Sequence, residues 1–184
     1  MTSSGDGAGY LVCPGGSISI DGIVVADRIT LDRWLGQQPT GLIAADISLG
    51  GYRPAQLISE LAAQLGRDPP VDDSLVPVPT GGRPDIATVG GWVDFESHGD
   101  PAVLQADRAV RALVPALHDI ATVLVAIPPE PTDWRAMDFW TLRFLAAAAE
   151  PAGFRLVLMA SIKPTPVLPP LLVADWQILP SMTD

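Results

Sequence analysis

The segment Gly41–Gly51, together with the amphipathic run Pro54–Leu65 that follows it, constrains the fold of this chain most strongly. Residues 42–45 are apolar in succession, which is typical of a strand covered on both faces, so we expect a central strand. In the run that follows, the apolar residues recur at helical spacing: Leu57, Ile58, Leu61 and Leu65. A strand, a glycine turn and a helix in this order indicate an α/β fold, in which such turns usually carry the chemistry.

The rest of the chain repeats this alternation of strand and helix. Apolar strands are predicted over 122–127, 154–160 and 173–179, the last as an edge strand. Helices are predicted over 101–117 and 132–149. This order predicts a mostly parallel sheet flanked by helices, that is, a three-layer α/β protein.

One or two β-hairpins are expected beside the parallel strands. Asp21-Gly22 separates Ser17–Ile20 from Ile23–Ala26, and Asp-Gly between two alternating runs is a hairpin signal. A second hairpin is predicted over 86–95, and Thr30 is predicted to cap a short helix that ends at Leu35. We expect residues 1–184 to form a single domain, with possible lobes over 10–95 and 101–184 that share one sheet.

Composition narrows the classes of function. The formal charge of −10 repels phosphate backbones and anionic lipids, so neither nucleic acid nor membrane is expected as a partner. Cys13 is the single cysteine, which fits a protein without disulfides in the cytoplasm. The first residues lack the pattern of a signal peptide. No spacing of acidic residues or histidines indicates a metal site, and no cofactor is predicted.

The chain has a high proportion of apolar residues and few charged residues to cover the surface of a free monomer. Hydrophobic residues make up 48% of the chain and charged residues 17%, which favours a protein partner or a homo-oligomer. The helix over 132–149 is more apolar than one helical face, and it supplies the predicted interface residues Trp134, Met137, Phe139, Trp140 and Phe144. The alternative is that this helix lies between its own sheet and the proline-rich segment 164–170.

Residues at predicted strand ends are the candidates for catalysis. Cys13 and His98 both follow strand-like segments and would form a thiol–imidazole pair if the fold brings them together. Asp46 ends the strand before the glycine turn. The simpler interpretation is a buried thiol and a loop histidine, since cysteine is among the most often buried residue types.

The N-terminal half resembles the caspase-like cysteine peptidases, in particular the self-processing domains of large bacterial toxins. The similarity rests on Cys13-Pro14-Gly15 at a strand end, the turn at Asp21-Gly22, Asp46-Ile47-Ser48 before Gly50-Gly51, and the turn within 77–81. In that family the first strand ends in His-Gly and the second in the catalytic cysteine. Here Cys13 stands near the place of the histidine, and Asp46 or Ile47 near that of the nucleophile. The resemblance therefore implies a pseudoenzyme that keeps the fold as a binding platform.

A second resemblance covers part of the C-terminal half. Residues 123–127 and the helix after them are similar to the strand and helix around the second acidic motif of signalling NTPases, but Pro128-Pro129 stands where the acidic pair is expected. The chain also lacks a phosphate loop, so nucleotide hydrolysis is not predicted.

These observations lead us to expect a non-catalytic protein-binding subunit, adaptor or regulator in a bacterial multiprotein assembly. Two alternatives stay open. One is a small hydrolase or transferase with a site near Cys13, Asp46 and His98. The other is a small-ligand sensor that binds at the glycine turns without chemistry.

Overall fold

A computed structural model describes residues 17–48, 55–70, 101–129, 136–161, 168–169 and 171–181. The strand end predicted at Cys13, the second hairpin predicted over 86–95 and the first residues of the helix predicted over 132–149 lie outside these ranges. In chain order the elements are β1 (Ile18–Val24), α1 (Arg28–Gln37), β2 (Leu42–Asp46), α2 (Gln56–Gln64), α3 (Pro101–Leu113), β3 (Thr122–Ala126), α4 (Ala136–Ala152), β4 (Arg155–Ala160) and β5 (Leu172–Ile178). A 3₁₀ turn over Val114–Leu117 extends α3.

The five strands form one sheet in the order β2-β3-β4-β1-β5, and every neighbouring pair is parallel. Strands from residues 17–48 and from residues 122–178 are thus interleaved in the same sheet. β3 is buried along its whole length, as its place inside the sheet requires. β2 and β5 are the two edge strands of the described sheet.

Helices cover both faces of the sheet, which confirms the predicted three-layer α/β architecture. On one face α2, α3 and α4 enclose the larger apolar core, whose largest fully buried side chains include Trp140, Phe139 and Leu57. On the other face α1 packs Leu31, Trp34 and Leu35 against a smaller cluster that contains Ile23 and Val157. α2 ends as predicted, because Gly66 follows it in the left-handed conformation with φ of 64°.

The hairpin predicted at Asp21-Gly22 is wrong. β1 runs without interruption through both residues and pairs in parallel with β4 and β5. Gly22 serves a different purpose, because a Cβ atom at this position would lie 2.6 Å from Cε3 of Trp176. The absence of a side chain lets the Trp176 indole lie flat over the neighbouring strand. Asp21 forms an ion pair with Arg155 on the opposite face of the sheet.

Two smaller predictions also need correction. The cap of α1 is Asp27 rather than Thr30, because Asp27 Oδ1 accepts the Thr30 amide at 2.8 Å. That hydrogen bond, with those from the hydroxyls of Ser181 and Thr30, lowers the pKa of Asp27 below its ordinary value of 3.8. The strand over 42–45, predicted as central and covered on both faces, is the edge strand β2 of the described sheet. Ile43 and Ala45 are buried on the face that α2 covers, whereas Ala44 on the other face is exposed.

The contact between Gly22 and Trp176 generates a test of the sheet. We expect Gly22→Ala to lower the free energy of unfolding by about 1–3 kcal/mol, since the new methyl group displaces the indole. Gly36→Ala is the matched control: Gly36 lies within α1 with no atom within 4 Å of an added Cβ, and alanine there raises stability by about 0.5–1 kcal/mol. Urea unfolding of the two variants measures both effects. Equal effects of the two substitutions would contradict the assigned role of Gly22.

Candidate functional site

The two edge strands differ in what happens to their outward-facing backbone groups. Along β2, Gly41 O accepts a hydrogen bond from Ala121 N, and Ile47 N donates to Ala126 O. Because successive residues of a strand point their N–H and C=O groups to opposite sides, the odd-numbered residues face β3. Ala44 and Asp46 therefore direct their backbone groups away from the sheet.

Side chains of α2 bind these outward-facing groups of β2. The Gln64 amide accepts from Ala44 N at 2.9 Å and donates to Ala44 O, as a neighbouring strand would. Glu60 accepts from Asp46 N at 2.6 Å, and Gln56 donates to Asp46 O at 2.7 Å. Residues 56, 60 and 64 are spaced by four, so they form one stripe along the helix. We call this stripe the α2 seal, since it occupies the edge on which another strand would pair.

Asp138 on α4 holds the first turn of α2 in place. It is 2% exposed, and its Oδ1 accepts a hydrogen bond from the Leu57 amide at 2.9 Å. The N-cap residue of α2, Ala55, supplies no side-chain hydrogen bond to this turn. A buried carboxylate at a helix N-terminus satisfies an amide and interacts favourably with the helix dipole. The α2 seal thus depends on α4 for its position.

At the other edge of the sheet, the backbone groups of β5 alternate between β1 and the outer side. Leu171 O accepts from Ile18 N at 2.7 Å, and Leu179 N donates to Val24 O at 3.0 Å, so the odd-numbered residues of β5 face β1. Ala174, Trp176 and Ile178 therefore point their N–H and C=O groups outward. No strand in the described part of the chain pairs with this side of β5.

Apolar side chains accompany this open edge. Val173 is 50% exposed, Ile178 is 61% exposed and Leu171 is 48% exposed. Leu171 also has a φ of 63°, a left-handed conformation that costs a non-glycine residue about 1–2 kcal/mol. Leu171 precedes the strand, and Val173 and Ile178 lie on opposite faces of it, so exposed apolar side chains accompany the outward backbone groups on both faces. We call the surface formed by residues 171–178 the β5 edge.

Negative charge lies on the face of the β5 edge that carries Val173. Asp175 is in register with Asp21 of β1, so two carboxylates stand side by side on adjacent strands. Arg155 pairs with Asp21 at 2.6 Å from the far side. Asp175 is exposed and forms no ion pair with another described residue. The β5 edge therefore combines open backbone groups, apolar side chains and an uncompensated carboxylate.

The predicted catalytic residues do not form a site within the described part of the chain. Asp46 is present at the end of β2, where its Oδ1 accepts from the Ser48 amide at 2.9 Å and from Ser48 Oγ at 2.5 Å. This is the local turn geometry that aspartate favours after a strand. Cys13 and His98 lie outside the described residues. Among the residues that are described, no cluster of acidic, histidine or cysteine side chains has the geometry of a metal site.

The predicted interface residues of α4 are part of the chain's own core. Met137, Phe139 and Trp140 are each 1% exposed, and Phe144 is 5% exposed. The ring of Trp140 also lies 5.2 Å from the guanidinium carbon of Arg143. The chain itself covers the apolar surface that indicated an interface, so these four residues have no surface to offer to a partner. Trp134 is not among the described residues.

Sequence reasoning overlooked the α2 seal and Asp138. The polar stripe of α2 repeats every four residues opposite its apolar face, which is the pattern of an ordinary solvated helix face. Asp138 carried a stronger signal, because it is an acidic residue directly between the apolar residues Met137 and Phe139 of a strongly apolar helix.

A shallow groove is also present at the amino end of β1 and β4. Its walls include Ile18, Ala146 and Phe154, and the exposed Asp21–Arg155 ion pair lies at its rim. More than half of each of these charged side chains is exposed, so the pair contributes less than about 1 kcal/mol.

Within the described residues, the fold is a three-layer α/β protein whose parallel sheet is bound by α2 side chains at one edge strand, β2, and has no strand beyond the other, β5. No protein-family model, curated protein or solved structure matches the chain. The resemblance to caspase-like peptidases therefore stays a prediction. None of the described helices is long and apolar enough to cross a bilayer.

Two of the three residues of the α2 seal can be replaced while the helix is kept. In the double variant Glu60→Ala/Gln64→Ala, alanine keeps the helix propensity while the amides of Ala44 and Asp46 lose their acceptors. We expect a loss of about 1–3 kcal/mol in urea unfolding and stronger concentration-dependent association than in the unmodified chain, measured by light scattering.

Glu150→Ala is the control for this variant. Glu150 is exposed near the end of α4, and its side chain forms no hydrogen bond with another described residue. We expect a change within about 0.5 kcal/mol. A double variant that remains as stable and as dispersed as the control would show that α2 does not protect this edge.

Proposed function

We propose that this chain is a non-catalytic protein-binding subunit, adaptor or regulator, and that it contacts its partner through the β5 edge. The observation that carries the proposal is the contrast between the two edges of one sheet. α2 supplies three side chains that bind outward backbone groups at two positions of β2, whereas no strand among the described residues pairs with the outward groups of β5, which lie beside exposed Val173 and Ile178. A strand edge of this kind is a known site of association between proteins.

The chemistry of the described residues supports a binding role. The carboxylates at the end of β2 are engaged in structural hydrogen bonds, since Glu60 accepts from both Asp46 N and Gln56 Nε2. Asp138 caps α2 from within the core. A general acid or base needs an ionisable group within reach of a substrate, and these groups face the protein instead.

Photo-crosslinking in the native host tests the proposal. We would place p-benzoylphenylalanine at Ile178 on the β5 edge or at Arg33, an exposed residue of α1 on another surface. With the chain expressed at its natural level, Ile178 should yield one discrete crosslinked species of constant stoichiometry. Arg33 should yield none.

Size-exclusion chromatography of the same extracts provides the opposing outcome. A protein-binding subunit should elute as part of a larger complex. A chain that elutes entirely as a free monomer and forms no crosslink from either position would overturn the proposal.

A further inference from the structure

The β5 edge also indicates what kind of partner segment it binds, an inference that rests on the proposed function. We propose that the β5 edge binds an extended segment of another protein by strand addition, and that this segment carries a lysine or arginine opposite Asp175. Strand addition extends the five-stranded sheet by one strand and needs no rearrangement of the core.

The backbone of β5 provides the hydrogen bonds for such a strand. Ala174, Trp176 and Ile178 each present one N–H and one C=O on the outward side. The next outward amide toward the amino end, that of Leu172, is already bound to Pro169 O at 3.1 Å. A partner strand therefore pairs from Ala174 onward, over a stretch of at least five residues.

The side chains of β5 define the pattern that the partner strand must follow. Leu172, Ala174 and Trp176 contact the larger core on one face of the sheet. Ile178, which has the same parity, lies on that face as well, so the partner needs apolar residues there. On the other face it meets Val173, Asp175 and Gln177, where a central basic residue is favoured.

The negative charge at Asp175 favours another protein over a second copy of this chain as the occupant of the β5 edge. Asp175 and Asp21 stand side by side with Arg155 committed to Asp21, so the open side of Asp175 attracts a cation. A two-fold arrangement of β5 against itself is antiparallel. Whether its register is centred on Ala174, Asp175 or Trp176, it places the two Asp175 carboxylates opposite or diagonal to each other. It also joins two chains that each carry a net charge of −10.

A symmetric peptide probe follows from this pattern. The sequence Val-Thr-Val-Lys-Val-Thr-Val presents four valines on one face and lysine between two threonines on the other. It places lysine opposite Asp175 in either strand direction. The control peptide has glutamate at the central position, and both are labelled for fluorescence anisotropy with the full chain.

We expect the lysine peptide to bind the unmodified chain more tightly than the glutamate peptide, by roughly fivefold in Kd. Asp175→Lys should reverse this preference. Ala174→Pro should weaken both peptides by at least roughly tenfold, because proline removes an outward N–H and adds bulk on the pairing side.

The position of the proline provides the structural control. Ala174 N points away from β1, so Ala174→Pro should keep the circular dichroism spectrum and the thermal midpoint close to those of the unmodified chain. Asp175→Pro removes an amide that faces β1 and should lower the midpoint clearly.

The outcomes separate this inference from the proposed function. The inference is overturned if neither peptide binds, if Ala174→Pro leaves peptide binding unchanged, or if the chain forms a dimer that Ala174→Pro dissociates. A partner crosslinked at Arg33 and retained by Ala174→Pro would sustain a protein-binding function while refuting strand addition at β5.

Discussion

The hydrogen bonds from α2 to the outer side of β2 determine how this sheet can interact with other chains. Two residues of β2 have their outward N–H and C=O groups bound by side chains of the α2 seal, so a further strand finds no free group at Ala44 or Asp46. The seal depends in turn on Asp138 of α4, which binds the first turn of α2. The sheet has a second edge at β5, where no strand among the described residues binds the outward backbone groups.

The buried helix α4 belongs to the apolar core against which both α2 and β5 pack. Its aromatic residues fill the core between the sheet and the neighbouring helices, and Asp138 is the polar residue through which the core positions α2. At the far edge, Trp176 lies over Gly22 and keeps one face of β5 in contact with the same core. The two edges thus differ in their outward chemistry while sharing one apolar interior.

Apolar periodicity predicted the strands and helices of this fold, but not the contacts between them. The edge strand over 173–179, the helix that ends before Gly66 and the buried strand over 122–127 all follow from local patterns. The prediction of a hairpin at Asp21-Gly22 was wrong because Gly22 makes room for the indole of Trp176, which is more than 150 residues away in sequence. β2 was predicted as central because its apolar run indicated cover on both faces, but it is an edge strand of the described sheet and Ala44 is exposed. The α2 seal has the sequence pattern of a solvated helix face. Its hydrogen bonds to β2 depend on the tertiary contact between α2 and β2, which the sequence pattern does not show.

Residue-resolved amide hydrogen exchange of the purified chain, followed by NMR, tests the central claim most directly. If α2 closes one edge and β5 leaves the other open, the amides of Ala44 and Asp46 exchange slowly although β2 is an edge strand. Along β5, protection alternates: Val173, Asp175 and Gln177 exchange slowly, and Ala174, Trp176 and Ile178 exchange fast. Fast exchange at Ala44 and Asp46, or uniform protection along β5 in the isolated chain, would contradict the account.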